Sequence, residues 1–275
     1  MNRRKFVNLA LGGSAALALT SPYLRAQPTN PNVIFVFMDD LNDWVGCLGH
    51  PQAITPNIDA FAASGVNFTN AHANATECIP SRCSLFASRR PSSTGVYSNN
   101  PDWPLRMPDA FWMPENFTQN GYLTFRAGKF FHPSYNDIWD DFCPMNPAAK
   151  PPNFPISGQP FSTDYYKYFD WAPVDVPDDN MRSGRYANWA IQKLQETHSD
   201  PFFLPIGFTS THDAWHIPRR YFEPFPLESI ELPDVPEDEW DDIPEFARNR
   251  YLNPVYHQTV VKQQQWRKAV QAYLA

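Results

Sequence analysis

Three runs along the chain predict strands of a parallel sheet, and the first and third have the apolar content of buried strands. The runs cover residues 32–38, 122–126 and 201–208. The first run ends abruptly at Asp39 and Asp40. Lys129 follows the second run, and His212 follows the third. Because ligands of open α/β sheets bind at the carboxyl ends of the strands, these four polar residues are candidates for a functional site.

Apolar positions at helical spacing, together with capping residues, predict helices between these runs. The predicted helices lie at residues 56–64, 80–88, 180–196 and 260–275, and a further helix ends at 117–120. We predict a short strand at 66–68, and loops at 144–177 and 224–244, where prolines are frequent and no period is visible. The alternation of strands and helices indicates an α/β fold with a parallel sheet.

The composition is typical of a packed globular protein with long loops. The chain has 275 residues, which is enough for one large α/β domain or two small ones. Hydrophobic residues make up 43% of it, and its 29 prolines favour ordered loops over additional helices. The formal net charge of -7 disfavours nucleic acid as a partner, although an acidic protein can still hold an anionic substrate in a local basic pocket.

Residues 1–26 have the pattern of an export signal. Arg3 and Arg4 precede a short apolar run at 9–19, and the small residue Ala26 comes directly before Gln27. The apolar run is too short to span a bilayer, so we expect a cleaved signal and no stable membrane insertion afterwards. The paired arginines resemble a twin-arginine signal, which predicts a periplasmic or secreted protein. An ordinary secretory signal and an uncleaved anchor are the alternatives.

The motif Cys78-Ile79-Pro80-Ser81-Arg82 places a cysteine two residues before a proline and four before an arginine. Pro80 suits the first turn of the predicted helix, so free backbone N–H groups would point at an anion held beside Cys78. Arg82 lies one helical turn beyond Cys78 and can fold back toward it. In the alternative readings, Cys78 is a small buried hydrophobe, or it forms a disulfide with one of the other cysteines. Those are Cys47, Cys83 and Cys143.

Together with these residues, several further motifs resemble the type I sulfatases of the alkaline phosphatase superfamily, especially their iduronate-2-sulfatase-like branch. The matching segments, in order, are residues 32–41, 55–59, 78–82, 90–97, 121–122 and 128–132. The resemblance implies an alkaline phosphatase-like three-layer sandwich with a mostly parallel central sheet. It also implies hydrolysis of sulfate monoesters, with Cys78 oxidised to formylglycine by a formylglycine-generating enzyme. The substrate would be a sulfated small molecule or glycan.

The resemblance also implies a metal site and a nucleophile. Asp39, Asp40 and the formylglycine made from Cys78 would bind one Ca²⁺ ion, in preference to Mg²⁺. One hydroxyl of the formylglycine hydrate would attack sulfur and expel the alcohol. The second hydroxyl would then lose its proton as sulfate leaves and the aldehyde returns. A plain cysteine could not complete that cycle.

Four further residues receive roles from the resemblance. Arg82 would steady the hydrate, Lys129 would hold the sulfate, and His132 would hydrogen-bond the hydrate and take its proton. His212 would bind the sulfate, with His216 as the second choice for that role. The family often has a lysine where this chain has Ser210. We therefore expect one sulfate contact to be weaker.

The family also has a later aspartate that is followed by histidine or asparagine and completes the metal site. The sequence stops before such a pair could occur, so residues 27–275 are expected to be the N-terminal part of a sulfatase catalytic domain, with its C-terminal part missing. Alternatives to the sulfatase function are a phosphoesterase or phosphonate hydrolase of the same superfamily, and an inactive truncated domain. The substrate's identity, exo or endo action, disulfides and oligomeric state stay open.

Overall fold

A four-stranded parallel sheet forms the centre of the computed structural model, which describes residues 30–100, 102–131, 138–144, 169–236, 238–251 and 255–275. Within these residues the strands are β1 (Val33–Met38), β2 (Leu123–Gly128), β3 (Asp141–Phe142), β4 (Trp171–Val174), β5 (Phe202–Phe208) and β6 (Trp215–Pro218). The central sheet has the strand order β1-β5-β2-β3. Strands β4 and β6 form a separate two-stranded parallel sheet.

The helices lie between the strands as the sequence predicts for an α/β fold. They are α1 (Pro56–Ser64), α2 (Cys78–Ala87), α3 (Pro91–Thr94), α4 (Trp103–Arg106), α5 (Met113–Gln119), α6 (Arg182–Gln195), α7 (Glu245–Tyr251), α8 (Val255–Lys262) and α9 (Trp266–Leu274). Short 3₁₀ turns occur at Gly46–Leu48, Asp178–Asn180, Arg219–Phe222 and Leu227–Ser229. Among the described residues, none of these helices has the length and apolarity that crossing a bilayer requires.

The strand register brings the polar residues after β1, β2 and β5 to one edge of the sheet. β5 is the central strand, and it pairs with β1 from Val33 opposite Phe203 to Met38 opposite Phe208. It also pairs with β2, where Gly128 lies opposite Gly207. Because all three strands run parallel, their carboxyl ends lie side by side.

Two hydrophobic cores cover the two faces of the central sheet. On one face, Phe86 of α2 stacks on Phe130 with the ring centroids 3.7 Å apart, and Phe117 of α5 stacks on Phe203 at 4.0 Å. On the other face, Tyr186 and Ala190 of α6 pack with residues of β2 and β5. Helices on both faces of a parallel sheet give three layers, so the predicted fold class is confirmed.

The prediction that the first strand is buried on both faces was wrong. Phe35 and Phe37 of β1 pack against the aromatic core, but Ile34 and Val36 on the other face are 48% and 51% exposed. β1 is an edge strand of the described sheet, and α6 packs over β2 and β5. The apolar run of β1 therefore forms a strand of which only one face is covered in this structure.

Three further predictions also differ from the structure. Residues 66–68 form a loop and no strand, and Val66 and Phe68 are 80% and 77% exposed. The helix predicted at 260–275 is two helices, α8 and α9, separated at Gln264, whose φ of 56° is left-handed. The end of the predicted loop at 144–177 contains β4, while the signal segment 1–26 and residues 145–168 lie outside the described residues.

Candidate active site

Asp39 and Asp40 lie just beyond the carboxyl end of β1. The Asp39 backbone N–H donates to the Phe208 carbonyl at 3.0 Å, which extends the pairing of β1 and β5 by one residue. Asp40 then takes a left-handed conformation with φ of 55° and turns the chain away. The Thr211 hydroxyl donates to the Asp39 carbonyl, so the segment after β5 is tied to the same point. The Asp39 side chain is buried, whereas that of Asp40 is 55% exposed.

Two glycines allow the chain to deliver Lys129 to this edge. The Lys129 backbone N–H donates to the Gly207 carbonyl at 3.0 Å. A Cβ atom on Gly207 would collide with the Lys129 carbonyl oxygen, and one on Gly128 would collide with that of Gly207. Gly128 also has a φ of 80°, which side-chain-bearing residues rarely adopt. The close crossing of the two strand ends therefore requires glycine at both positions.

Cys78 is the first residue of α2, two positions earlier than the predicted start of this helix. The preceding residue, Glu77, is extended, and its carboxylate accepts the Asn99 backbone N–H at 2.7 Å. The Asn99 side chain in turn accepts the Ile79 backbone N–H at 2.8 Å. These two hydrogen bonds, one on each side of Cys78, hold the start of the helix against the loop after α3.

A buried carboxylate with two cationic partners forms the centre of the site. Arg82 Nη2 lies 2.5 Å from Asp39 Oδ1, and both side chains are only 7% exposed. Arg82 Nη1 donates to the carbonyls of Lys129 and Phe130, both at 2.8 Å. The Lys129 ammonium group contacts the other Asp39 oxygen, and its Nζ lies 3.4 Å from the Cys78 sulfur. Arg82 thus links the helix start, the end of β1 and the segment after β2.

His212 contacts acidic groups on two sides and lies beside Cys78. Its Nδ1 is 2.6 Å from a carboxylate oxygen of Asp213 and 2.8 Å from the Asp213 carbonyl oxygen. Its Nε2 is 3.7 Å from Asp40 Oδ2. Asp39, Cys78 and His212 each offer one potential ligand atom, and these three atoms lie within 4.8 Å of one another.

These contacts shift the pKa values in opposite directions. Burial raises the pKa of the Asp39 carboxyl, but the charge of Arg82 and the hydrogen bond from Lys129 outweigh it, so the net pKa is lowered. A hydrogen bond with His212 lowers the pKa of the Cys78 thiol despite its partial burial, and Lys129 lowers it further. Hydrogen bonds with Asp213 and Cys78 raise the pKa of His212 to about 11. Burial raises the pKa of Asp40. A thiol beside two cationic groups is typical of an electropositive, reactive position.

Six of the predicted site residues lie together at this edge of the sheet: Asp39, Asp40, Cys78, Arg82, Lys129 and His212. His216, the second choice for the sulfate-binding histidine, lies in β6, where its Nε2 is 2.7 Å from the fully buried Asp170. His132 lies outside the described residues. Asp213 was not among the predicted site residues. Its position directly after His212 was the signal that could have found it.

The four cysteines are free thiols in the structure. Cys83 and Cys143 are buried, and burial raises the pKa of Cys83 to about 12. Cys47 and Cys78 are half-buried. Their states differ physically: Cys83 is shielded as a small hydrophobe, whereas Cys78 lies among charged groups at a helix start.

The carboxylate oxygens at this edge of the sheet are the type of ligand that a hard cation prefers. Ca²⁺ takes six to eight oxygen ligands, largely from carboxylates. Asp39 and Asp40 are consecutive in the chain, and the Asp39 carboxylate lies in the group of potential ligands with Cys78 and His212. Arg82 and Lys129 now neutralise Asp39. The described residues thus supply suitable oxygens, but fewer than a full coordination sphere.

Comparison with known proteins agrees with these motifs. The family model described as Sulfatase matches residues 31–272, nearly the whole chain. The chain belongs to the sulfatase family. A sulfatase from Formosa agariphila is 30% identical over 305 residues, an alignment that covers 100% of this chain and 58% of that protein. Iduronate 2-sulfatase from Homo sapiens is 32% identical over 256 residues, which cover 87% of this chain and 46% of that enzyme. The chain thus spans about half the length of these sulfatases.

One solved structure has a fold similar to that of this chain. It is a phosphonate monoester hydrolase from Silicibacter pomeroyi, with a TM-score of 0.61 and 16% sequence identity. The superposition covers 89% of this chain and 56% of that one. At this identity the likeness concerns the α/β architecture and its parallel sheet.

Proposed function

We propose that the protein hydrolyses sulfate monoesters, with residue 78 as formylglycine. The observation that carries the proposal is the position of Cys78 at the start of α2, with Lys129 Nζ 3.4 Å from its sulfur and a ring nitrogen of His212 within 4.8 Å of it. A helix start and two cationic side chains favour binding of an anion at this point. Membership of the sulfatase family supports sulfate as that anion. A formylglycine-generating enzyme would be the partner that converts Cys78.

Each nearby side chain has a distinct task in this proposal. Formylglycine, whose aldehyde is hydrated in water, would supply the hydroxyl nucleophile. Lys129 would hold a non-bridging sulfate oxygen and offset the charge that develops in the transition state. Arg82, fixed by two backbone carbonyls, would orient residue 78 and Asp39. His212, kept protonated by Asp213, would donate a hydrogen bond to the sulfate or to the leaving oxygen. His132 remains a proposed proton acceptor.

A bound Ca²⁺ ion would supply electrostatic stabilisation of the sulfate oxygens, and Asp39, Asp40 and residue 78 would be its protein ligands. Because these residues offer few oxygens, we expect the chain to bind Ca²⁺ weakly, with a Kd of about 10⁻⁴–10⁻³ M. Isothermal titration calorimetry measures this value. The variant Asp40→Ala should weaken binding at least several-fold, while the exposed Asp109→Ala is the matched control. Submicromolar binding, or equal binding by both variants, would contradict this ligand set.

Phosphate and phosphonate monoesters are the alternative substrates, because the same cationic cluster could hold any tetrahedral anion. We predict faster turnover of an aryl sulfate, because a sulfate monoester carries one negative charge and the cluster already contains Asp39 and Asp40. Parallel assays with 4-nitrophenyl sulfate and 4-nitrophenyl phosphate measure kcat/KM for each. A higher kcat/KM for the phosphate ester would replace the sulfatase proposal with the phosphoesterase one.

The protein's substrate and location are part of the same proposal. The sulfated compound would be a carbohydrate or another small molecule, and the protein would act in the periplasm or outside the cell after export by its twin-arginine-like signal. The acidic net charge of -7 does not oppose an anionic substrate, because Lys129 and His212 place cationic groups beside Cys78.

A further inference from the structure

A cavity of about 320 Å³ lies beside α9. Its walls include five aromatic side chains, Trp44, Phe169, Trp215, Trp266 and Tyr273, and the polar side chain of Asn42. Asn42 is exposed and the aromatic residues are half-buried, so the cavity opens to solvent. Small-molecule pockets are typically about 300–1,000 Å³ and apolar, with a few polar groups. The cavity therefore has the size and lining of a pocket for one small ring.

The cavity is joined to the candidate active site through two chain segments. The Tyr273 hydroxyl donates to the Asp40 carbonyl at 2.9 Å and accepts the Asn42 backbone N–H at 3.2 Å. On the other side, the Trp215 indole N–H donates to the Thr211 carbonyl at 3.0 Å. The residues that follow Asp40 and His212 thus continue directly into the cavity wall.

The aromatic rings are held in place by contacts with one another. The Tyr273 ring is edge-on to both Trp44 and Trp215, with centroid distances of 5.3 and 5.7 Å. The Asn42 side-chain amide oxygen accepts the Trp44 backbone N–H at 3.0 Å. Preorganised aromatic faces bind a ligand with little loss of side-chain entropy. Since their faces are electron-rich, they favour a ring that presents polarised C–H bonds.

We propose that this cavity, the aromatic pocket, binds the pyranose ring of a sulfated sugar whose sulfate group occupies the site at Cys78. A pyranose has an apolar C–H face for the aromatic rings and a rim of hydroxyl groups for the Asn42 amide. This inference deepens the proposed function and rests on it for the sulfate group. Binding of the sugar ring itself requires neither formylglycine nor a metal ion, so it can be tested separately.

The test is titration of the 275-residue chain with the methyl pyranosides of galactose, N-acetylglucosamine and glucuronic acid. Saturation-transfer NMR and intrinsic tryptophan fluorescence report binding. We expect at least one glycoside to bind with a Kd of about 1 mM. Trp44→Ala should weaken that binding at least about 10-fold, and Asn42→Ala several-fold. Trp240→Ala, which removes a partly exposed tryptophan outside the pocket, should leave it unchanged.

Two results would overturn the aromatic pocket as a sugar site. One is the absence of millimolar binding by all three glycosides, and the other is binding that Trp44→Ala and Asn42→Ala leave unaltered. Circular dichroism checks that each variant is folded. If Trp44→Ala does not fold, Trp44→Phe, which keeps an aromatic ring, is tested in its place. Turnover of 4-nitrophenyl sulfate without glycoside binding would refute the pocket and leave the proposed function standing. Glycoside binding without any sulfatase activity would support the aromatic pocket and refute the proposed function.

Discussion

Replacing Cys78 with alanine is expected to lower turnover of 4-nitrophenyl sulfate by at least about 10³-fold, because it removes the proposed nucleophile. Cys78→Ser is expected to be similarly impaired. A single serine hydroxyl that became sulfated would have no second hydroxyl with which to expel the sulfate. Steady-state kcat, measured after expression with a formylglycine-generating enzyme, is the readout.

Cys47→Ala is the matched control for loss of a thiol. Cys47 is half-buried like Cys78 but lies next to Gly46 and α1 rather than at the start of α2. We expect this variant to keep wild-type kcat. Activity of Cys78→Ala within a few-fold of wild type would exclude residue 78 as the nucleophile.

Replacing Asp39 with alanine is expected to lower the free energy of unfolding by about 3–5 kcal/mol. The change leaves the buried Arg82 guanidinium without its carboxylate, and it also removes the counterion of Lys129. Asp39→Asn keeps the shape and one acceptor oxygen but not the charge, so it should cause a smaller loss. Guanidinium-induced unfolding, followed by circular dichroism, measures both values.

An exposed ion pair provides the comparison for Asp39. Asp175 accepts two hydrogen bonds from Arg219, at 2.7 and 2.8 Å, but the two side chains are 74% and 57% exposed. Solvent screens such a pair, so Asp175→Ala should change stability little. Equal losses for Asp39→Ala and Asp175→Ala would mean that the pairing of Asp39 with Arg82 contributes nothing beyond an ordinary surface contact.

The sequence predicted the strand ends well because both the pattern and the polar residues after it were unambiguous. β5 is buried along nearly its whole length, as its apolar run indicated. The run at 32–38 predicted β1 correctly but not its exposure, since apolar content does not say what covers each face. Likewise, the positions of Lys129 and His212 after their runs predicted that they would meet, because parallel strands bring their carboxyl ends together.

Contacts that depend on tertiary structure could not be predicted from the pattern. β4 is short, contains Pro173 and pairs with β6, and neither segment alone has strand periodicity. The aromatic pocket joins residues near 42, 215 and 270, which only folding brings together.

The state of residue 78 is the centre of the proposal, and peptide mass spectrometry reads it directly. The peptide that spans Cys78 is analysed after the chain is expressed together with a formylglycine-generating enzyme. The proposal predicts a peptide in which residue 78 has lost one sulfur and two hydrogen atoms and gained one oxygen. An unmodified thiol at Cys78 throughout the sample would contradict it.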